Sequence, residues 1–282
     1  MPPGSAWLHE EVGRRMEDRL QWIKRQPEAW MHWEPVQGGL GVHAALAHRY
    51  PAARCLVVEP PGPRRMVAQR ALQRPWWSPS RWNAPALQFG EPPDGAVQMV
   101  WANMALHMAA DPQALLQCWH RALVPEGFLM FSCLGPDTLR AVRDAWRSAG
   151  WPDPAHAFTD MHDWGDMLVN TGFAEPVMDM ERITLTFSSP QRALSELRQL
   201  GRNLHVARFQ GLRGRQWHRQ ALAALASSVP ESGEGVALDF EIIYGHALKA
   251  LPRLDVQPET HLSLDEMRRV LRQGRVLPGS PQ

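Results

Sequence analysis

Four short apolar runs recur in the first half of the chain, and a helical pattern follows each one. They lie at residues 30–33 (WMHW), 55–58 (CLVV), 97–102 (VQMVWA) and 127–133 (GFLMFSC). Runs this short and this apolar fit strands buried in a parallel sheet. Between them the stretches at about 40–49, 64–73, 111–123 and 137–148 carry helical spacing, with Asp111 and Pro112 as N-cap and first-turn proline. Strand then helix, four times over, predicts an α/β protein with helices on both faces of a mostly parallel sheet, joined by right-handed crossovers. At 44% hydrophobic and 21% charged residues over 282 positions, the chain has the apolar content such a core needs.

The flanks read differently. Residues 6–25 place Trp7, Leu8, Val12, Met16, Leu20 and Ile23 at helical spacing, an amphipathic N-terminal helix over 1–25. The sheet region is expected over 26–188, with a short helix at 163–171 and a late strand at 183–187. Residues 189–250 read as a substrate-facing cap with helices at 190–201 and 214–228 and a strand at 238–244. Residues 251–282 read as a flexible Pro- and Arg-rich tail, with a possible capping box at Ser263–Glu266.

Thirty basic against 29 acidic residues give a net charge of +1, which argues against a nucleic-acid binder. Cys55, Cys118 and Cys133 form neither a disulfide framework nor a zinc spacing. With no signal core and no apolar run approaching ~18–20 residues, a cytoplasmic protein without a membrane span is expected. There is no G-x-S-x-G, no P-loop and no H-E-x-x-H, and no metal is expected.

In open α/β sheets ligands sit beyond the carboxyl ends of the strands. That points to the turn at 34–41, which holds Gly38, Gly39 and Gly41, and to Glu59 at the end of the second run. Gly38 and Glu59 are 21 residues apart, close to the glycine-to-acid spacing of nucleoside-binding folds. The third run ends at Asn103, with His107 following as the candidate catalytic imidazole, although a lone histidine there is more often a local hydrogen-bonding residue. Asp160, His162 and Asp163 include two metal-ligand types, but Asp163 reads better as a helix cap. Arg202, Arg208, Arg213, Arg215 and Arg219 could face an acidic partner.

The block VQMVWANMALHMAADPQALLQCWHRALVPEGFLMFSCLGPDTLRAVRDAW (97–146) resembles class I S-adenosylmethionine-dependent methyltransferases, most closely the malonyl-acyl-carrier-protein O-methyltransferases of biotin synthesis. The likeness continues through FTDMHDWGDMLVNTGFAEPVMDMERITLTF (158–187), LRQLGRNLHVAR (197–208), GLRGR (211–215) and FEIIYGHALK (240–249). It implies a seven-stranded Rossmann-like sheet, Glu59 at the cofactor ribose, and Asn103 and Met104 beside the cofactor's methionine part. The implied acceptor is a malonyl carboxylate on an acidic acyl-carrier protein. It is already anionic at pH 7, so no general base is required. An arginine clamp is expected, without a residue to name for it.

The cofactor loop departs from the family's pattern of an acid followed by glycines at its second, fourth and sixth successors. Counted back from His48-Arg49-Tyr50-Pro51, the acid falls on Glu34 and the glycines on Val36, Gly38 and Leu40. One residue on, Gly39 and Gly41 align but Pro35 and Gln37 do not. The segment expected to reach the adenine is short, leaving Glu91. Two alternatives follow: a catalytically inactive methyltransferase fold acting through a protein partner, or a protein arginine hydroxylase of the respiratory-complex assembly type. The hydroxylase shares the features at 135–139 and 163–168 and would need iron.

Overall fold

A computed structural model describes residues 5–72, 87–226, 235–251 and 268. Its strands are β1 (Ala29–Trp33), β2 (Arg54–Val58), β3 (Leu87–Phe89), β4 (Val97–Ala102), β5 (Leu123–Leu134), β6 (Phe173–Phe187) and β7 (Val236–Lys249). The helices are α1 (Trp7–Arg19), single-turn α2 (Pro35–Gly38), α3 (Leu40–Arg49), α4 (Pro63–Leu72), α5 (Pro112–Ala122), α6 (Arg140–Ser148), α7 (Met161–Thr171), α8 (Pro190–Leu197) and α9 (Arg215–Ala226). The sheet order is β3-β2-β1-β4-β5-β7-β6. The first five strands pair in parallel, and β7 runs antiparallel between β5 and β6.

The apolar runs become strands because both of their faces are covered. Along them side chains alternate between two cores, as a period of two requires. Trp30, Met99 and Trp101 enter one core with Leu8, Val12 and Met16 of α1 and Val42 and Leu46 of α3. Met31, Val100 and Ala102 enter the other with Leu116 and Trp119 of α5 and Trp164 and Leu168 of α7. Each fully buried large side chain contributes roughly 1.5–3 kcal/mol. In mid-sheet, Gly245 of β7 leaves room for the Phe131 ring, which a Cβ there would strike.

The N-terminal helix is shorter than its apolar spacing suggests, ending at Arg19 before a 3-10 turn at Leu20–Trp22. Ion pairs from Arg15 to Glu181 (3.0 Å), Arg19 to Asp179 (2.7 Å) and Glu17 to Arg49 (2.5 Å) tie it to β6 and α3. Within the stretch set apart as a cap, residues 236–249 are β7 itself. Strand β6 is 15 residues long, ten more than the run at 183–187. It is an edge strand carrying Glu175, Asp179, Glu181 and Arg182, so no apolar run marks its length. Residues 1–250 form one compact unit and 251–282 a second, of which only Leu251 and Arg268 are described. The tail's possible capping box lies outside the described residues. No helix among the described residues is long and apolar enough to cross a membrane.

Candidate functional site

The loop leaving β1 is the centre of the site. Glu34 sits in the left-handed region (φ 45°) with its N–H donated to the Val58 carbonyl at 2.8 Å. One helical turn follows, then a break at Gly39 (φ 122°), a conformation that favours glycine. The glycines also permit close approach, but to protein groups. A Cβ on Gly38 would lie 2.6 Å from the Asn103 carbonyl oxygen, and one on Gly41 would lie 2.7 Å from Oε2 of Glu10. Val36 and Leu40, which fall on glycine positions in one of the two registers of the loop, are buried with Ala68 against Val67, Leu72 and Phe89. They join the loop to α4 and the end of β3 by apolar packing.

The loop's polar groups are satisfied by residues 5–10. Ser5 Oγ donates to the Val36 carbonyl and accepts from the Leu40 N–H, both at 3.1 Å. His9 Nδ1 donates to the Gln37 carbonyl at 2.7 Å. Both Glu10 carboxylate oxygens accept from the Gly41 N–H, at 3.0 and 3.2 Å. Leu40 and Gly41 open α3, so these are amides a helix leaves without internal partners, at the end where its dipole favours an anion. Burial pushes the His9 imidazole down to about 4, with the Gln37 carbonyl opposing the shift.

Glu59 is 4% exposed at the end of β2. Its Oε2 accepts from the Val36 N–H at 3.2 Å, while Oε1 has no partner among the described residues. Burial pushes this carboxyl up to about 7, against the pull of the Val36 N–H and with Glu34 adding to it. Burial also raises Glu34, whose carboxylate is 3.5 Å from Arg64. Asn103 is buried after β4. Its amide nitrogen donates to the His9 carbonyl at 2.7 Å and to the Gly38 carbonyl, and its oxygen accepts from Ser132 Oγ at 2.6 Å. Met104, with φ 53°, donates its N–H to the same Ser132 hydroxyl at 3.0 Å.

His107 is buried, with its Nδ1 3.4 Å from the Leu134 N–H and no partner at Nε2 among the described residues. Burial drives its pKa well below the usual histidine value, so it sits there as a neutral imidazole. Glu91 is exposed on the loop after β3. The cap of α7 is Asp160, not Asp163: the helix starts at Met161, so the Asp160 carboxylate meets the N–H groups of His162 and Asp163 at 2.7 and 3.0 Å. No group of three or more His, Cys, Asp and Glu side chains among the described residues could hold a metal ion.

A cavity of about 680 Å³ opens where β6 ends, the same end of the sheet at which β5 ends. Trp7, Leu185, Phe187 and Phe240 supply apolar wall, and Arg192 and Glu196 of α8 supply charge. Further along, Leu204, Val206, Phe209 and Leu212 are exposed among the arginines expected to meet a partner. Arg213 stacks over Phe209 and Trp217 at 4.2 and 4.5 Å, and Arg202, Arg208, Arg215 and Arg219 make no ion pair among the described residues.

S-adenosylmethionine, which the resemblance implies, matches one feature here: the unpartnered Glu59 oxygen is an acceptor suited to a ribose hydroxyl. The remaining groups do not fit it as they stand. The loop amides and the Asn103 amide are engaged by the chain itself, and Gly38 lies against Asn103 with no gap between them.

Residues 36–131 match a family described as Methyltransferase domain. A malonyl-[acyl-carrier protein] O-methyltransferase of Gallionella capsiferriformans is 36% identical over 267 residues, covering 89% of this chain and 87% of the relative. Proteins of the same name from Laribacter hongkongensis (36%, 88% and 85%) and Nitrosospira multiformis (34%, 93% and 90%) match along the same length. In fold, the chain is similar to the YcgJ protein of Bacillus subtilis, with TM-score 0.55 and 15% identity over 86% of this chain and 99% of that one. It is also similar to the [4+2]-cyclase SpnF, with TM-score 0.50 and 15% identity over 85% and 82%.

Proposed function

The chain belongs to the malonyl-[acyl-carrier protein] O-methyltransferase family, and from that premise we propose that it methylates the free carboxylate of a malonyl group borne by an acyl-carrier protein. The donor is S-adenosylmethionine and the setting is cytoplasmic biotin synthesis. The observation that carries this reading is a likeness running through the whole sheet and the helices beyond it, 267 residues long, rather than through the cofactor motif alone. The chemistry asks little of the protein. The acceptor oxygen is already an anion, so the reaction asks no base of the buried His107. What the protein must supply is position, which can contribute up to ~7–11 kcal/mol.

The cavity beside β6 is the acceptor pocket in this reading. Arg192 is the clamp, because its guanidinium lines the cavity and matches a carboxylate with two parallel hydrogen bonds. The arginine-rich segment from Arg202 to Arg219, with its exposed Val206, Phe209 and Leu212, docks the acidic carrier protein. The test is transfer of a labelled methyl group from S-adenosylmethionine to malonyl-acyl-carrier protein. A labelled ester is expected, and its absence at high enzyme and donor concentration overturns the reading. One observation favours a second reading, a scaffold without catalysis: the loop after β1 is already liganded by residues 5–10. In that case the same assay gives no product while the arginine segment still retains a protein partner.

A further inference from the structure

The proposed methyl transfer needs a donor site, and the groups that would form it are held by the chain's own N-terminal turn. We propose that Ser5, His9 and Glu10 form an internal lock on the loop after β1, with which S-adenosylmethionine must compete. The inference rests on the proposed function.

Four observations carry it. Glu10 places both carboxylate oxygens on the Gly41 N–H in the first turn of α3, which is where a helix holds an external anion. S-adenosylmethionine carries a carboxylate of its own, so the two occupants offer the same chemistry to the same donors. Ser5 takes the neighbouring Leu40 N–H, and the His9 carbonyl takes the Asn103 amide, so the lock ties the loop after β1 and the residue that follows β4. The glycines of the loop make room for the lock: Gly41 faces Glu10, and Gly39 lies 3.2 Å from the same carboxylate at its Cβ position.

The lock is also built to open locally. Ala6, the N-cap of α1, gives the helix no side-chain cap, so the first turn can unwind without losing one. Gly13 follows, packed against the Asn103 amide where a Cβ would lie 3.0 Å away, and glycine is a weak helix former there. Beyond it, the ion pairs of Arg15, Glu17 and Arg19 keep the rest of α1 on the body of the protein. Opening is therefore confined to residues 5–12, and it must also withdraw Leu8 and Val12 from the core, which keeps the open form a minor one. The apparent affinity for the cofactor is lowered by the fraction of molecules that are closed.

The test is calorimetric titration of the full chain with S-adenosylhomocysteine, using wild type, Glu10→Gln and the double variant Ser5→Ala/Glu10→Ala. Affinity is expected to rise about tenfold or more in the double variant and less in Glu10→Gln. Hydrogen exchange on the unaltered protein supplies a reading that needs no variant: amides in 5–12 are expected to exchange faster when S-adenosylhomocysteine is bound. Wild type that binds as tightly as the variants, with unchanged or slower exchange at 5–12, overturns the lock and leaves the methyltransferase reading intact. Weaker binding by Glu10→Gln overturns it too, by making Glu10 a cofactor contact. Absence of binding by all three proteins overturns both the lock and the proposed methyl transfer.

Discussion

At one side of the sheet's carboxyl end, beyond β1, β2 and β4, backbone amides, a serine, a histidine and two carboxylates close on each other. At the other side, where β6 ends, the same end opens into a cavity of about 680 Å³. The N-terminal segment serves both: Ser5, ahead of α1, and His9 and Glu10 within it face the closed side, and Trp7 lines the open one. The difference teaches that two regions at one end of a sheet can be filled independently: the region beside β6 keeps its space, while the loop after β1 is packed through Val36 and Leu40 and liganded by the chain's own Ser5, His9 and Glu10.

The largest effect expected is from Asn103→Ala, which tests whether the closed side is one network. It strips partners from the His9 and Gly38 carbonyls and from Ser132 in a buried place. At ~1–3 kcal/mol per orphaned group, a loss of roughly 3–5 kcal/mol is expected in urea unfolding. A loss under ~1 kcal/mol would show that the contacts are incidental.

Acid should loosen the closed side next. His9 is held down to about 4 in the folded chain against 6.5 when exposed, so its contribution to stability is full above pH 6.5 and drains away as the pH falls toward 4. Glu59 works in the opposite sense: its contribution is full below pH 4.5 and lost as the pH rises through about 7. Comparing wild type with His9→Gln cancels the Glu59 effect. The stability difference between them should shrink by roughly 3 kcal/mol from pH 7 to pH 4. A flat difference would mean that His9 titrates as an exposed ring.

Gly38→Ala is a smaller insult. Its Cβ would meet a backbone oxygen that cannot swing aside, and overpacking of this kind costs ~1–3 kcal/mol. Hydrogen exchange at the start of α3 should quicken, and unchanged stability would mean that the loop and Asn103 are free to part. On the open side, Arg192→Ala should leave stability within ~0.5 kcal/mol. It should raise KM for malonyl-acyl-carrier protein about tenfold, the low end for a hydrogen bond to a charged group. An unchanged KM would remove Arg192 from the acceptor pocket.

The parts of the fold visible in the sequence are those whose signal is local. Strands β1, β2, β4 and β5 announce themselves because both of their faces are buried, and Asp111 caps α5 as its place before Pro112 suggests. Strand β6 was mostly hidden, since an edge strand needs no continuous apolar run. The cap falls on Asp160 and not on Asp163 because helix boundaries read from pattern are uncertain by a residue or more. The site divides in the same way. Glu59, Asn103 and Met104 were named by strand ends and resemblance, and the structure places them around one loop. Ser5, His9 and Glu10 read only as part of an amphipathic helix, since nothing local joins them to amides some 30 residues on. Arg192 carried no motif.

By itself the sequence determined an α/β sheet with two cores, its family, and a loop that breaks the family's glycine pattern, because periodicity and ordered motif blocks are written in neighbouring residues. Only the tertiary structure decided what Gly38, Gly39 and Gly41 are for. A glycine states that a backbone approaches something closely, but the partner it approaches arrives from a distant part of the chain. Here the partners are Asn103 and Glu10, brought in by β4 and α1.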